Sequence, residues 1–208
     1  MVETDDGFWI VPPHRAVWVP PLMEHEVTAR GAVSLRNLYF DPQSVSDLPK
    51  ICSVVTVSPL LREMVLRAIN LPALYDLDGP DGRFLKVLLD QIRTLPTTPL
   101  HLPMSDHPRL KPITNHLSKN PADRRSLEDW AAIMGASTRT LTRLFQKETG
   151  MSFRQWRQQA RLLEALIRLA AGTPVTNVAL DLGYDSQSAF IAMFKKALGK
   201  TPGKYFTV

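Results

Sequence analysis

The 208-residue chain has a single cysteine, Cys52, so no internal disulfide can form. Its five histidines (His14, His25, His101, His107 and His116) show no H-x-H or H-x-x-x-H spacing, so no zinc site is visible and no metal or other cofactor is expected. No run is long and apolar enough to span a bilayer, and the start, MVETDDG, has no basic stretch leading into an apolar segment. A cytoplasmic protein without a membrane partner is the expectation.

Acid is scarce in one half only. Residues 106–208 hold 16 Lys and Arg against 8 Asp and Glu, a net of +8, whereas residues 1–105 hold 9 against 12, a net of −3. Such asymmetry points to a polyanion as the partner of the second half, against the plainer alternative of a basic solvated surface.

The first forty residues carry aromatic and β-branched runs, GFWIVP and AVWVP, broken by prolines. HEVTARGAVSLRNLYF then alternates around Gly31, with Val33, Leu35 and Tyr39 on one parity. These predict three or four strands, too few to close a barrel. Ser58-Pro59 opens a helix carrying Leu61, Val65, Ala68 and Ile69. LYDLDGPDG breaks it, and Leu85, Leu88, Ile92 and Leu95 mark another. Three prolines within residues 96–104 suggest a linker.

Beyond it the pattern is helical. Leu110, Ile113 and Leu117 mark one helix, whose start Pro112 obscures. Ser126 with Asp129 forms a capping box, and Gly135 closes that helix. Ser137, Ser152 and Ser186 cap three more, ended by Gly150, Gly172 and Gly199, while Thr173-Pro174 starts one ended by Gly183.

The last eighty residues contain a repeat. Ala131-x-x-x-Gly135 recurs as Ala179-x-x-x-Gly183, Phe145-Gln-Lys147 as Phe194-Lys-Lys196, and Gly150 as Gly199. Each unit reads as a capped helix, a glycine turn and a second capped helix, the helix-turn-helix pattern, with Leu141 and Phe190 as apolar locks. The helix joining them, from Ser152 to Ala171, would be about 30 Å long, close to the roughly 34 Å between successive major-groove faces of B-DNA.

Within the first unit, STRTLTRLF (137–145) has one face of Leu141, Leu144 and Phe145. Another, at i, i+3, i+4 and i+7, holds Arg139, Thr142, Arg143 and Gln146 and no acid. Arginine can pair with guanine O6 and N7, and threonine or glutamine with other base edges. In the second unit Gln187 and Ser188 occupy the exposed start, but Ile191 and Ala192 follow. Ser137, Lys147, Ser186, Lys195, Lys196 and Lys200 suit phosphates, with Lys204 beyond them.

SLEDWAAIMGASTRTLTRLFQKETGMSFRQW and VALDLGYDSQSAFIAMFKKALGKTPGKYF closely resemble the two helix-turn-helix motifs of AraC/XylS-type transcription regulators. Residues 7–40 more weakly resemble the last strands of the cupin sensor domain of such regulators. There WVPPLMEHEV has His25 at the second motif's histidine and Leu22 where glycine is usual, and the first motif is absent. The resemblance implies a mainly α chain in three parts: a partial cupin-like β segment at 1–42, a helical connector and candidate dimerisation region at 43–105, and an AraC-type DNA-binding domain at 106–208. Its implied partners are double-stranded DNA, a second copy of the chain and, where a complete sensor barrel extends before Met1, a small-molecule effector. It implies a regulator rather than an enzyme. The reading weighed against it is an effector-binding or interaction module whose repeat packs only against protein.

Overall fold

A computed structural model describes residues 1–29, 33–42 and 48–206. Its N-terminal half is built on two small antiparallel sheets. In the first, β1 (Val2–Thr4) pairs with β2 (Gly7–Trp9) and with β4 (Glu26–Val27), and β2 pairs in turn with β7 (His101–Pro103). In the second, β5 (Ser53–Thr56) lies between β3 (Arg15–Trp18) and β6 (Thr97–Thr98). Gly7, at φ 136°, is required where β7 crosses: a Cβ there would lie 2.3 Å from the Leu102 carbonyl oxygen.

Three expectations change here. The proline-rich stretch at 96–104 is not a linker but supplies β6 and β7; Pro96 and Pro99 stand outside the strands, and Pro103 ends β7 opposite Gly7. The stretch expected as a helical connector therefore also contains β5, β6 and β7. Among its described residues the alternating run at 25–40 forms only the two-residue β4. Val33, Leu35 and Tyr39 are all exposed and in no strand, because no sheet face lies against them, while Gly31 falls outside the described residues. The strands do not form a closed barrel among the described residues.

Two helices pack on each other at the side. α1 (Pro59–Ala68) starts as expected, with Ser58 Oγ accepting from the Leu61 amide, and α2 (Pro80–Arg93) carries the Leu88 stripe. They share a small core of Leu61, Met64 and Leu88, separate from the main one.

The remaining helices form one bundle. α3 (Lys111–Lys119) places Pro112 in its first turn, where a missing N–H costs nothing. α4 (Leu127–Ile133) has its Ser126–Asp129 capping box, and α5 (Thr138–Thr149) its Ser137 cap and left-handed Gly150. α6 (Phe153–Ala170) follows, then α7 (Val175–Asp181), α8 (Gln187–Leu198) and the short α9 (Pro202–Tyr205). Pro174, not Thr173, occupies the N-cap of α7. The main core is continuous across both halves: Trp9, Ile10, Val54, Leu100 and Leu102 belong to the same buried cluster as Leu110, Trp130, Phe145, Trp156 and Phe194. No helix among the described residues is long and apolar enough to cross a membrane.

Candidate nucleic-acid interface

The repeat is structural as well as sequential. α4 and α7 each have 7 residues, and α5 and α8 each have 12. The register continues further than the sequence reading took it. Trp156 packs edge-on to Phe145, with ring centroids 6.3 Å apart; Tyr205 packs edge-on to Phe194 at 5.5 Å, so α9 repeats the start of α6. In both units the inward faces are sealed, with Leu141, Phe145, Phe190 and Phe194 fully buried.

On the outward face of α5, Arg139, Thr142, Arg143 and Gln146 are all exposed. Two of these side chains are already engaged. Thr142 Oγ1 donates to the Thr138 carbonyl at 2.9 Å, leaving its lone pairs and methyl outward. Gln146 Nε2 donates to the Gly150 carbonyl at 3.1 Å, which leaves its amide oxygen as the freer end. Arg139 and Arg143 have no hydrogen-bond or ion-pair partner among the described residues, so both guanidiniums are uncommitted. Ser137 caps the helix through the Thr140 amide, and Lys147 lies 3.4 Å from Glu148.

α8 is less equipped. Gln187 and Ser188 are exposed, but Gln187 Oε1 accepts from Thr176 Oγ1 at 2.9 Å. Ile191, taken from the sequence as part of the exposed stripe, is half-buried against the core; Ala192 is exposed. Ser186 caps the helix through the Ala189 amide. Lys195, Lys196, Lys200 and Lys204 are exposed and carry no ion pair among the described residues.

Sequence reasoning passed over a second cationic group. Arg154, Arg157, Gln158 and Arg161 lie at i, i+3, i+4 and i+7 on α6, and with Tyr184 and Met193 they line a cleft of about 280 Å³. Their spacing was the available signal. Nearby, Asp123 binds the guanidinium of Arg125 and, at 2.9 Å, the His116 imidazole. Those contacts, the Arg125 side chain foremost, hold the Asp123 carboxyl far below the usual carboxylate range despite its burial. Arg125 also stacks 4.1 Å from the Trp130 ring centroid.

The one cysteine is not poised as a nucleophile. Burial and the Asp6 carboxylate push the Cys52 thiol up to about 11, so it stays protonated at neutral pH. His25 is exposed, with Nδ1 3.0 Å from the Met23 carbonyl oxygen. Among the described residues, no group of three or more His, Cys, Asp or Glu is placed to hold a metal ion.

Two helix-turn-helix units on one core, each offering a capped second helix with exposed cationic side chains, make this a double helix-turn-helix protein. The helix-turn-helix domain family matches residues 130–207. The chain is 41% identical over 201 residues to the HTH-type transcriptional regulator NimR of Escherichia coli K12, covering 97% of this chain and 73% of that protein. It is 37% identical over 113 residues to the HTH-type transcriptional regulator RipA of Corynebacterium glutamicum, covering 54% of this chain and 33% of that one. The C-terminal domain of AraT, a response regulator from Geobacillus stearothermophilus, superimposes on 48% of this chain and 84% of its own with a TM-score of 0.45 and 29% identity. The chain belongs to the family of AraC-type helix-turn-helix transcriptional regulators.

Proposed function

We propose that the protein is a sequence-specific double-stranded-DNA-binding transcription regulator that sets α5 and α8 in successive major grooves. The observation that carries this is the outward stripe of α5, with two uncommitted guanidiniums and no carboxylate, on a unit that the chain builds twice. α6, at 18 residues, is about 27 Å long. That is shorter than the 20-residue span suggested by the sequence; the glycine turns at its ends add to the reach.

In this reading Arg139 and Arg143 pair with guanine edges. Thr142 offers a methyl and lone pairs, and Gln146 its amide oxygen. Gln187 and Ser188 make the fewer base contacts of the second groove. Ser137, Lys147, Ser186, Lys195, Lys196 and Lys200 meet phosphates. Sequence discrimination lies mainly with α5 and anchoring with α8. The α1–α2 pair and the loop between its helices, which leave Leu60, Leu74, Leu77 and Val87 exposed, are the proposed contact with a second copy. No catalytic role is proposed, and the site of action is the cytoplasm.

The test uses the full chain with duplexes selected from a random-sequence pool. Affinity for the selected duplex should exceed that for competitor DNA by a thousandfold or more, about the low end for specific regulators. It should fall steeply with salt as counterions are released. A folded protein that enriches no sequence overturns the reading in favour of a module that contacts only protein.

A further inference from the structure

The loop that leads into the first unit and the turn of the second meet over one side chain of α6. Arg161 Nε donates to the Pro121 carbonyl at 2.8 Å, and its Nη2 lies 3.5 Å from the Asp123 carbonyl oxygen. One turn earlier, Arg157 Nη1 donates to the Arg125 carbonyl at 3.0 Å. Three carbonyls of the segment before α4 are thus held from α6. On its other side the Arg161 guanidinium stands 5.7 Å from the ring centroid of Tyr184, in the turn between α7 and α8.

That turn seats directly on the loop that leads into the first unit. Gly183 has φ 77°, and a Cβ there would lie 3.3 Å from the Ala122 carbonyl oxygen and 3.5 Å from Arg161 Nη2. Asp185, next in the turn, reaches Arg124 at 3.6 Å, but both side chains are exposed and the pair contributes little. Arg161 is half-buried and satisfies backbone groups with a planar fork that lysine cannot reproduce.

We infer that Arg161 is a positioning residue: with Tyr184 and Gly183 it locks the second helix-turn-helix unit onto the first, so that the protein accepts only one spacing between the two grooves it contacts. The inference rests on the DNA reading above. The shared core seats each unit on α6, and the contacts of Arg161, Tyr184 and Gly183 add a direct link between the turn of the second unit and the loop that leads into the first, which holds their relative rotation. Inserting one base pair turns the second groove by about 35° and moves it by about 3.4 Å. A swivelling protein would follow that change, and a locked one could not.

The experiment measures the affinity of the full chain for a duplex selected by the wild-type protein, and for the same duplex with one base pair inserted or deleted between the two contacted grooves. Wild type should lose about tenfold or more on either change. Arg161→Lys should bind the original spacing about tenfold more weakly and discriminate between spacings by about threefold or less, because a loosened link lowers the effective concentration of the second unit and broadens the separations it can span. Tyr184→Leu should change in the same direction by a smaller factor, and it decides the matter if Arg161→Lys does not fold. Lys196→Ala should weaken binding at every spacing and leave the discrimination intact. If Arg161→Lys or, failing that, Tyr184→Leu keeps the wild-type discrimination, the lock is refuted. A wild-type protein that selects a sequence but ignores spacing also refutes it, with the DNA reading still standing. A wild-type protein that selects no sequence overturns both.

Discussion

The indole N–H of Trp156, in the helix that joins the two units, donates to the carbonyl of Pro103 at 2.7 Å, and Trp156 is fully buried. One turn away, Gln159 Nε2 donates to the carbonyls of Pro99 and His101 at 2.6 and 3.0 Å. The strand β7 is therefore part of the foundation of the helical bundle, although it pairs with β2 in the N-terminal sheet.

A fragment starting at residue 106 should accordingly be less stable than one starting at residue 97. The longer fragment keeps Leu100 and Leu102, both essentially inaccessible to solvent, each worth about 1.5–3 kcal/mol if buried equally in the fragment. Within the full chain, Trp156→Phe leaves the Pro103 carbonyl without its donor and should cost about 1–3 kcal/mol. Urea unfolding of the two fragments and the variant checks both. Equal stability of the fragments would show that β7 is dispensable.

Arg139→Ala or Arg143→Ala should cost about 1–3 kcal/mol of binding and relax preference at one base pair. Lys196→Ala should weaken binding to all sequences alike and lower the salt slope by about one unit. Titration against single-base variants of a selected duplex at two salt concentrations separates these outcomes. If Lys196→Ala changes base preference and neither arginine change does, the division of labour between α5 and α8 is wrong.

Leu22 has φ 62° and is fully exposed. The left-handed region costs a side-chain-bearing residue about 1–2 kcal/mol, and glycine gives back part of that gain through a freer unfolded chain. Leu22→Gly should thus stabilise the protein by about 0.5–1 kcal/mol, read as a raised midpoint in urea.

The depressed Asp123 carboxyl predicts a pH dependence of defined sign. A carboxyl whose folded pKa lies below its ordinary value of 3.8 stabilises the fold at higher pH, and that contribution is lost as pH falls below about 4 toward the folded value. Asp123→Asn should therefore cost most stability near pH 7, and its difference from wild type should shrink below about pH 4. Unfolding free energies of both proteins at pH 7 and pH 3 test this. A difference unchanged between those pH values would mean that the Arg125 and His116 contacts do not depend on the charge.

The helical half was legible because its boundaries are written locally. Ser126, Ser137, Ser152 and Ser186 each accept from an amide three residues on, and Gly135, Gly150, Gly183 and Gly199 each hold a positive φ. The sheets were not, because their pairing is remote: His101 lies opposite Trp9 and stacks on it at 4.2 Å, a relationship no local pattern encodes. Pro96, Pro99 and Pro103 disguised β6 and β7 as a linker. The exposure of Arg139 and Arg143 followed from helical period alone. The engagement of Gln146 with Gly150 and of Gln187 with Thr176, and the half-burial of Ile191, depend on the folded context. So do the carbonyls that Arg157 and Arg161 hold, which lie in a loop some 30 to 40 residues earlier in the chain.

The continuous core that runs from Trp9 to Phe194 also determines how ligand binding is felt elsewhere. Elements that share a core open together, and a ligand that binds only the closed form raises the free energy of that opening for all of them. Duplex bound at α5 and α8 should therefore slow hydrogen exchange at the paired amides of Val2–Thr4 and Gly7–Trp9, which it does not touch. The α1–α2 pair, with its own small core, should exchange at nearly the same rate with or without DNA.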